Sequence, residues 1–198
     1  MFTGQFARCP QRAFGALACV LAAGLFTSAQ AGSALEPCAD AQALQSALQR
    51  LNEVRQRGEA PCVASKGAMQ SLTWESRLAD SAHEQATDLA LRDLLSHVDA
   101  RQRGLGARLR GAGYAAALAG ENLAAGQTDF DDTLQAWLVS PTHCANLMQP
   151  DFRDVGLACV QRPGSRYERF WVAHLGTPVR DEPRRTELAI KPFAVAAR

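Results

Sequence analysis

The densest group of reactive side chains in the sequence is Ser140-Pro141-Thr142-His143-Cys144, which combines hydroxyls, an imidazole and a thiol. A hydroxyl or thiol beside a histidine is the pairing that nucleophilic hydrolases use. Ser140 and Pro141, however, are also the residue types that begin a helix, since serine favours the N-cap and proline the first helical position. The sequence contains no G-x-S-x-G turn. We therefore predict a helix N-terminus capped by the hydroxyls, and not a serine nucleophile.

The first residues carry the pattern of an export signal. Two arginines precede an uncharged, mostly apolar run at residues 13–26, and Ala29-Gln30-Ala31 is an A-x-A cleavage site. A transmembrane anchor would need about 20 apolar residues, more than this run contains. A lipoprotein signal is the other alternative, but Cys19 lies inside the apolar run rather than after it. The sequence predicts a signal peptide at 1–31 and a secreted or periplasmic protein without a transmembrane segment in its mature part.

Cleavage leaves four cysteines: Cys38, Cys62, Cys144 and Cys159. An even number in an exported domain predicts two disulfides, with three pairings open. A four-cysteine zinc site is disfavoured because the mature chain has no C-x2-C pair. Oxidation of Cys144 would also remove the thiol beside His143, so we do not expect cysteine catalysis.

Composition and charge exclude some function classes. The 198 residues favour one domain, and 47% hydrophobic residues suffice for a core. A net charge of +1 shows no excess of basic residues of the kind that binds nucleic acid. We expect a globular monomer without a nucleic-acid partner.

Hydrophobic periodicity predicts the elements that must position these groups. Helices are predicted at residues 40–57, 72–95 and 129–139 and again from Ser140 onward. Extended segments are predicted at 119–126, 155–160 and 169–175, with a turn at 162–165. Residues 96–113 are predicted as a loop with a short helical turn, and 177–198 as a loosely ordered, proline-containing tail. Helices on both sides of an antiparallel hairpin with an added strand indicate an α/β fold, a three-layer α/β/α sandwich.

Several side chains have structural interpretations. The tryptophans are expected in the core: Trp74, Trp137 and Trp171. Two asparagines beside turns are expected to satisfy backbone groups: Asn122 and Asn146. His83 is expected to be a partly buried packing residue on the second helix. His174 alternates with the apolar residues of its strand and faces away from them, so it is interpreted as structural or surface-exposed.

A series of motifs follows in order between residues 72 and 176: Leu72-Thr73-Trp74, Leu95-Ser96-His97, Gly120-Glu121-Asn122, the run from Ser140 to Pro150, and Trp171 to Gly176. Together they resemble the CAP superfamily (cysteine-rich secretory proteins, antigen 5 and pathogenesis-related proteins), and most closely its bacterial SCP-like branch. The resemblance implies a domain at residues 32–176, an α/β/α sandwich with a small antiparallel sheet and a central cleft.

The same resemblance implies that His97, Glu121 and His143 converge on that cleft. Two histidines and a carboxylate with open positions can bind zinc or another divalent metal. Without a metal, the three would form a hydrogen-bonded network that lines a groove. Many eukaryotic members have a second glutamate where this chain has Leu138-Val139-Ser140, which leaves the fourth corner to Ser140 or water.

The resemblance further implies disulfides Cys62–Cys144 and Cys38–Cys159, with a local Cys144–Cys159 bridge as the rival. Family members are associated with lipid and sterol binding, proteolysis, and defence or signalling. We expect a binding module of the exported compartment that takes a small lipid, peptide or cell-wall fragment. The alternative is a metal- or Glu121-assisted, peptidase-like hydrolase that uses the same three residues as catalytic groups. The absent second glutamate and nucleophile favour the binding module.

Overall fold

The structure is a computed structural model that describes residues 34–63 and 67–179. The predicted signal peptide lies outside the described residues, as does all of the tail beyond residue 179. The elements of the described part are β1 (Glu36–Pro37), α1 (Ala41–Arg57), β2 (Thr73–Trp74), α2 (Ser76–Arg92), α3 (Leu105–Gly111), β3 (Ala116–Ala125), α4 (Phe130–Val139), α5 (Pro141–Leu147), β4 (Asp154–Gln161) and β5 (Arg169–Pro178).

One sheet forms the middle layer, with strand order β1-β4-β5-β3 and β2 parallel to β4. The hairpin of β4 and β5 has the predicted turn, and β3 is the added strand, antiparallel to β5. One face packs against α2, whose small side chains Ala82 and Ala86 contact Val172 and its neighbours. The opposite face carries the larger core with α1, α4 and α5, which includes Trp137 and Trp171. The predicted three-layer α/β/α sandwich is confirmed.

Both faces of β4 and β5 are covered, and this coverage explains their nearly continuous apolar sequence. At Gly156 on β4, a Cβ would lie 2.0 Å from the backbone nitrogen of Ala79. Glycine is therefore required for the backbone of α2 to lie directly on the sheet.

The predicted helix over residues 72–95 was too long at both ends. Thr73 donates its backbone N–H to Arg153, and Thr73 and Trp74 pair with β4, so the helix begins only at Ser76. At the other end Asp93 takes a left-handed conformation with φ 52° and ends the helix. Leu94, which falls within the predicted helix, lies beyond its end and is 39% exposed.

Two further boundaries differ from the sequence prediction. Ser140 occupies the N-cap position of α5 and Pro141 the first turn, but the serine side chain makes no capping hydrogen bond. The prediction that its hydroxyl caps the helix was wrong. At the C-terminal side, β5 continues past Gly176, because Thr177 and Pro178 still pair with β3.

The sulfurs of Cys38 and Cys159 are bonded, as are those of Cys62 and Cys144. These are the pairs that the family resemblance implies. The first bridge fastens the segment before α1 to β4, and the second fastens the segment after α1 to α5. Since His143 directly precedes Cys144, the second bridge also holds the helix that carries His143. None of the helices in the described ranges is long and apolar enough to span a membrane.

Candidate functional site

The site is centred on Glu121, whose side chain is 3% exposed. Glu121 lies on β3 opposite His174 of β5, which in turn lies opposite Gly156 of β4. Directly paired residues point to the same face of a sheet. Glu121 and His174 therefore share the face covered by α2, where Gly156 leaves no side chain of its own.

Three donors surround the carboxylate of Glu121. Its Oε1 lies 2.7 Å from His97 Nδ1, and its Oε2 lies 2.8 Å from His174 Nε2. Arg108 of α3 donates to the same Oε2 through Nη2. An ionised carboxylate only accepts hydrogen bonds, so both histidine nitrogens that face it carry their protons. Both oxygens of Glu121 are thus engaged within the protein.

Arg108 is 1% exposed and also shapes the loop that carries His97. Its Nη1 donates to the carbonyls of His97 at 2.9 Å and Arg103 at 2.8 Å. The imidazole of His97 is itself 66% exposed. Within the described residues it bonds only to Glu121, through Nδ1, and so presents Nε2 outward.

His143 lies in the first turn of α5, which packs against the opposite face of the sheet from α2. Asn122, next to Glu121 on β3 and pointing to the other face, donates to the carbonyl of His143 at 3.0 Å. Asn146 donates to the carbonyl of Glu121 and to Asn122 Oδ1. The two asparagines bond to backbone groups as predicted, and they tie α5 to β3.

The pKa of His143 is lowered, first by burial and then by the charge of His97. The structure brings His97 into direct contact with Glu121, but it forms no hydrogen bond between His143 and Glu121. His143 is linked to β3 through its backbone carbonyl, which accepts from Asn122, the residue that follows Glu121.

The pKa values of the buried pair follow from their surroundings. Burial by itself would raise the pKa of Glu121, but the hydrogen bond and charge of His174, the charge of Arg108 and the bond from His97 together hold it below its ordinary value. Complete burial lowers the pKa of His174, against the opposing effect of Glu121. The guanidinium of Arg108 adds to the stabilisation of the Glu121 carboxylate that His174 provides.

The surroundings of Glu121 do not suit it as a ligand for a divalent metal. Among residues 34–63 and 67–179, no group of three or more His, Cys, Asp or Glu side chains is arranged to hold a metal ion. Glu121 has both oxygens occupied and a guanidinium beside it, which would repel a cation. A carboxylate bonded to Nδ1 of a histidine instead orients the ring and leaves Nε2 for the metal.

Sequence reasoning missed two members of this network, Arg108 and His174. His174 was expected to be structural or surface-exposed. It faces away from Trp171, as predicted, but it is fully buried because helices cover both faces of the sheet. The apolar residues on both sides of it in β5 are the signal of two-sided burial, and a buried histidine needs a polar partner. The signal for Arg108 is weaker, since an arginine in a short polar helix is usually solvated.

His83 and the tryptophans have the structural roles expected of them. His83 is half-buried on α2, and burial lowers its pKa to about 4. Trp74, Trp137 and Trp171 are all buried, and Trp137 donates its indole N–H to the carbonyl of Leu123.

The layer order, the two disulfides and the polar network at the edge strand define a small, disulfide-bonded α/β/α sandwich protein. The profile of the cysteine-rich secretory protein family, CAP, matches residues 48–175. The chain therefore belongs to the CAP family, as the sequence motifs indicated. Comparison with curated proteins yields no match.

Solved structures agree with this assignment. An extracellular SCP-domain protein of Bacillus anthracis is 27% identical, with a TM-score of 0.56 over 67% of this chain, and this chain spans 39% of that protein. An outer surface protein of Borrelia burgdorferi is 19% identical, with a TM-score of 0.60 over 70% of this chain and 94% of its own. A cysteine-rich secretory protein of Staphylococcus aureus is 15% identical, with a TM-score of 0.50 over 69% of this chain and 38% of its own. The last two, at such low identity, show the fold alone.

Proposed function

We propose that this CAP-domain protein is an exported binding module, and that the cleft at His97 and His143 takes a small lipid, peptide or cell-wall fragment. The observation that carries the proposal is the state of Glu121. A general base must be reachable and have a pKa near the working pH. Glu121 is buried and has a lowered pKa, and its two carboxylate oxygens accept hydrogen bonds from His97, His174 and Arg108. It acts as a scaffold for His97 and not as a base.

The alternative, a hydrolase in the same cleft, lacks a second reactive group. The thiol of Cys144 is consumed in the bridge to Cys62. Ser140 does not cap α5, yet no hydrogen bond joins its hydroxyl to His143 in the described structure, which an activated nucleophile would need. The arrangement supports ligand binding better than bond cleavage.

Apolar side chains beside His97 favour a ligand with an apolar part. Leu94, Leu95 and Val98 flank the histidine, and each is about two-fifths exposed, at 39%, 42% and 39%. An exposed apolar group of this kind next to polar side chains is typical of a ligand or partner contact. Among the three ligand classes, a lipid or an apolar peptide uses this surface most fully.

The cleft also has the two imidazoles that a zinc ion or another divalent metal requires. His97 and His143 would hold the ion, and Glu121 and Arg108 would keep the His97 ring in place. A bound ion would supply a Lewis acid at the cleft. Binding requires neutral imidazoles, whose ordinary pKa is about 6.5, so uptake weakens as the pH falls below that value.

Calorimetric titration with zinc, combined with a substrate screen, tests the proposal. Zinc should bind the wild type at neutral pH and raise its melting temperature. His97→Ala and His143→Ala should each abolish that rise, whereas Glu121→Gln should retain most of the zinc affinity, because the carboxylate orients and does not ligate. Zinc uptake that persists without both histidines would disprove the cleft. Turnover of a peptide, ester or wall substrate that Glu121→Gln removes would establish the hydrolase instead.

Export is the other part of the proposal. It is supported by the two disulfides, which form in oxidising compartments. Intact mass of protein recovered outside the cytoplasm should give Gly32 as the first residue. A retained Met1 would contradict cleavage after Ala31.

A further inference from the structure

Seven large apolar side chains are exposed among the described residues, and four of them lie within eight consecutive positions. Leu91, in the last turn of α2, is 61% exposed. Leu94, Leu95 and Val98, in the segment that follows, are each about two-fifths exposed. Single exposed apolar residues are ordinary, but a cluster of them is typical of a surface that meets another molecule. We call these four side chains the α2 apolar surface.

Hydrogen bonds hold the segment after α2 against the helix, so that the α2 apolar surface is a fixed part of the fold. Arg92 donates to the carbonyl of Val98 at 2.8 Å, and Asp88 accepts from the backbone N–H of Ala100 at 2.9 Å. Both α2 residues lie within one turn of Leu91, so the segment folds back beside it. Because burial of apolar area is favourable, side chains that a fixed backbone keeps exposed gain from a partner that covers them.

The size of this surface favours a lipid bilayer over a protein. Each partner of a stable protein complex buries about 800 Å², and four side chains, three of them less than half exposed, present well under that area. A bilayer requires no matching shape, and its affinity for a protein grows with the apolar area that inserts among the acyl chains. Three leucines and a valine are therefore enough for reversible docking on a membrane, but not for a stable dimer.

Residue types that favour a membrane interface border the α2 apolar surface. Arg166, in the connection between β4 and β5, reaches the C-terminal end of α2, where its backbone N–H donates to Asp93 at 2.7 Å. Its guanidinium lies 5.0 Å from the centre of the Tyr167 ring. Arg101 and Leu91 line the same groove beside α2. Both arginines are exposed, and neither has a carboxylate partner among the described residues.

The buried acidic side chains of this region are engaged within the protein. Asp88 pairs with Arg92, and Asp99 pairs with Arg103. Two further acidic side chains near by are exposed, and they keep the region from having a strong net charge: Glu84 and Glu168. Docking therefore depends first on the apolar side chains, and the two unpaired arginines add short-range contacts.

We propose that the α2 apolar surface docks this protein reversibly on a phospholipid bilayer, with its apolar side chains among the acyl chains and the guanidinium groups of Arg101 and Arg166 on the phosphates. A guanidinium forms charge-assisted hydrogen bonds to phosphate oxygens, and its long stem lets it reach them from the edge of an apolar surface. Tyr167 would then lie among the headgroups, where aromatic residues with a polar end are enriched. The proposal goes beyond the cleft and needs no zinc uptake there, so the test below and the calorimetric test can fail separately.

Co-sedimentation of the mature protein with lipid vesicles tests the proposal. Vesicles of phosphatidylglycerol supply phosphate, and vesicles of an uncharged galactolipid supply an apolar interior without phosphate. The wild type should bind both, and phosphatidylglycerol more tightly. Arg101→Gln combined with Arg166→Gln should weaken binding to phosphatidylglycerol about fivefold or more and change binding to the galactolipid by less than about twofold.

A matched pair of double substitutions separates this surface from exposed apolar residues in general. Leu91→Gln with Leu94→Gln removes side chains that are 61% and 39% exposed, and it should weaken binding to both vesicles about tenfold or more. Val139→Gln with Leu118→Gln removes side chains that are 72% and 37% exposed, on α4 and β3, and it should leave binding within about twofold. Melting temperatures measured in parallel should change little, since all four residues are exposed.

Four results each overturn the proposal. The wild type binds neither kind of vesicle. The two apolar double variants bind vesicles equally. The arginine double variant binds phosphatidylglycerol as tightly as the wild type. The wild type sediments as a dimer that Leu91→Gln with Leu94→Gln converts to a monomer, which would show that a second copy of the chain covers the surface.

Discussion

Substitution of Glu121 by glutamine tests whether this carboxylate is the charge partner of a buried arginine. Arg108 is 1% exposed, and the Glu121 side chain is 3% exposed. Removal of one member of a buried ion pair typically costs about 3–5 kcal/mol, because the other charge stays buried and unpaired. Glutamine still offers one carbonyl oxygen, which places the expected loss near the lower limit, at about 3 kcal/mol. For a domain of this size that loss is a fall of about 10 °C in melting temperature.

The control is His97→Ala, which deletes one of the same hydrogen bonds from the exposed side. His97 is 66% exposed, so its removal should cost less than about 1 kcal/mol. The two variants therefore separate the loss of a hydrogen bond from the loss of a buried charge. Urea unfolding of the mature domain, with the disulfides intact, measures both.

A double-mutant cycle completes this test. If Arg108 and Glu121 depend on each other, Glu121→Gln combined with Arg108→Met should cost less than the sum of the two single substitutions, by at least about 1 kcal/mol. The reasoning is refuted if the two losses simply add, or if Glu121→Gln is no more destabilising than His97→Ala.

Three further predictions concern pH, disulfides and chain length. Burial lowers the pKa of His83 from 6.5 to about 4 in the folded state, so the unfolded state binds more protons between these two pH values. The free energy of unfolding should therefore fall as the pH drops from about 6.5 to about 4. In urea titrations His83→Gln should show a smaller fall, and a pH dependence equal to that of the wild type would contradict the assignment. Non-reducing peptide mapping should recover Cys62 with Cys144 and Cys38 with Cys159, whereas a Cys144–Cys159 peptide would favour the rival bridge. Reduction should lower the free energy of unfolding by about 2–5 kcal/mol per bridge. A chain that ends at Val179 should melt like the full mature chain. One that ends at Gly176 should lose about 1–2 kcal/mol of unfolding free energy, because Thr177 donates to the carbonyl of Asp151 and pairs with β3. Equal melting temperatures of the two truncated chains would show that these contacts contribute little.

Much of the fold was accessible from the sequence because its periodic segments are strong. The helix at α4 shows why: Asp129 accepts a hydrogen bond from Asp132 N at its start, and Phe130, Leu134 and Trp137 are buried as the 3.6-residue period predicts. The strand at β2 was missed for the opposite reason. Its backbone hydrogen bonds go to β4, about eighty residues later in the chain, and no local pattern records such a partner.

The site was less accessible, because its geometry depends on strand register. A resemblance brought His97, Glu121 and His143 together, but only the pairing of β3 with β5 places His174 opposite Glu121. Alternation along β5 predicted the direction of His174 correctly. It did not predict that α2 covers that face, since coverage depends on how helices pack and not on the strand itself.

The edge strand β3 bonds to both of the segments that carry His97 and His143. Adjacent residues of a strand point to opposite faces, so Glu121 points towards α2 and Asn122 towards α5. Glu121 bonds to the ring of His97, and Asn122 bonds to the carbonyl of His143, so each residue of this pair fixes one histidine. Gly120 precedes them because a Cβ there would lie 2.8 Å from the ring of Phe152 and 3.3 Å from Asn146 Oδ1. The Gly-Glu-Asn triplet is therefore a positioning device: its carboxylate holds the ring of His97, and its amide holds the backbone of His143.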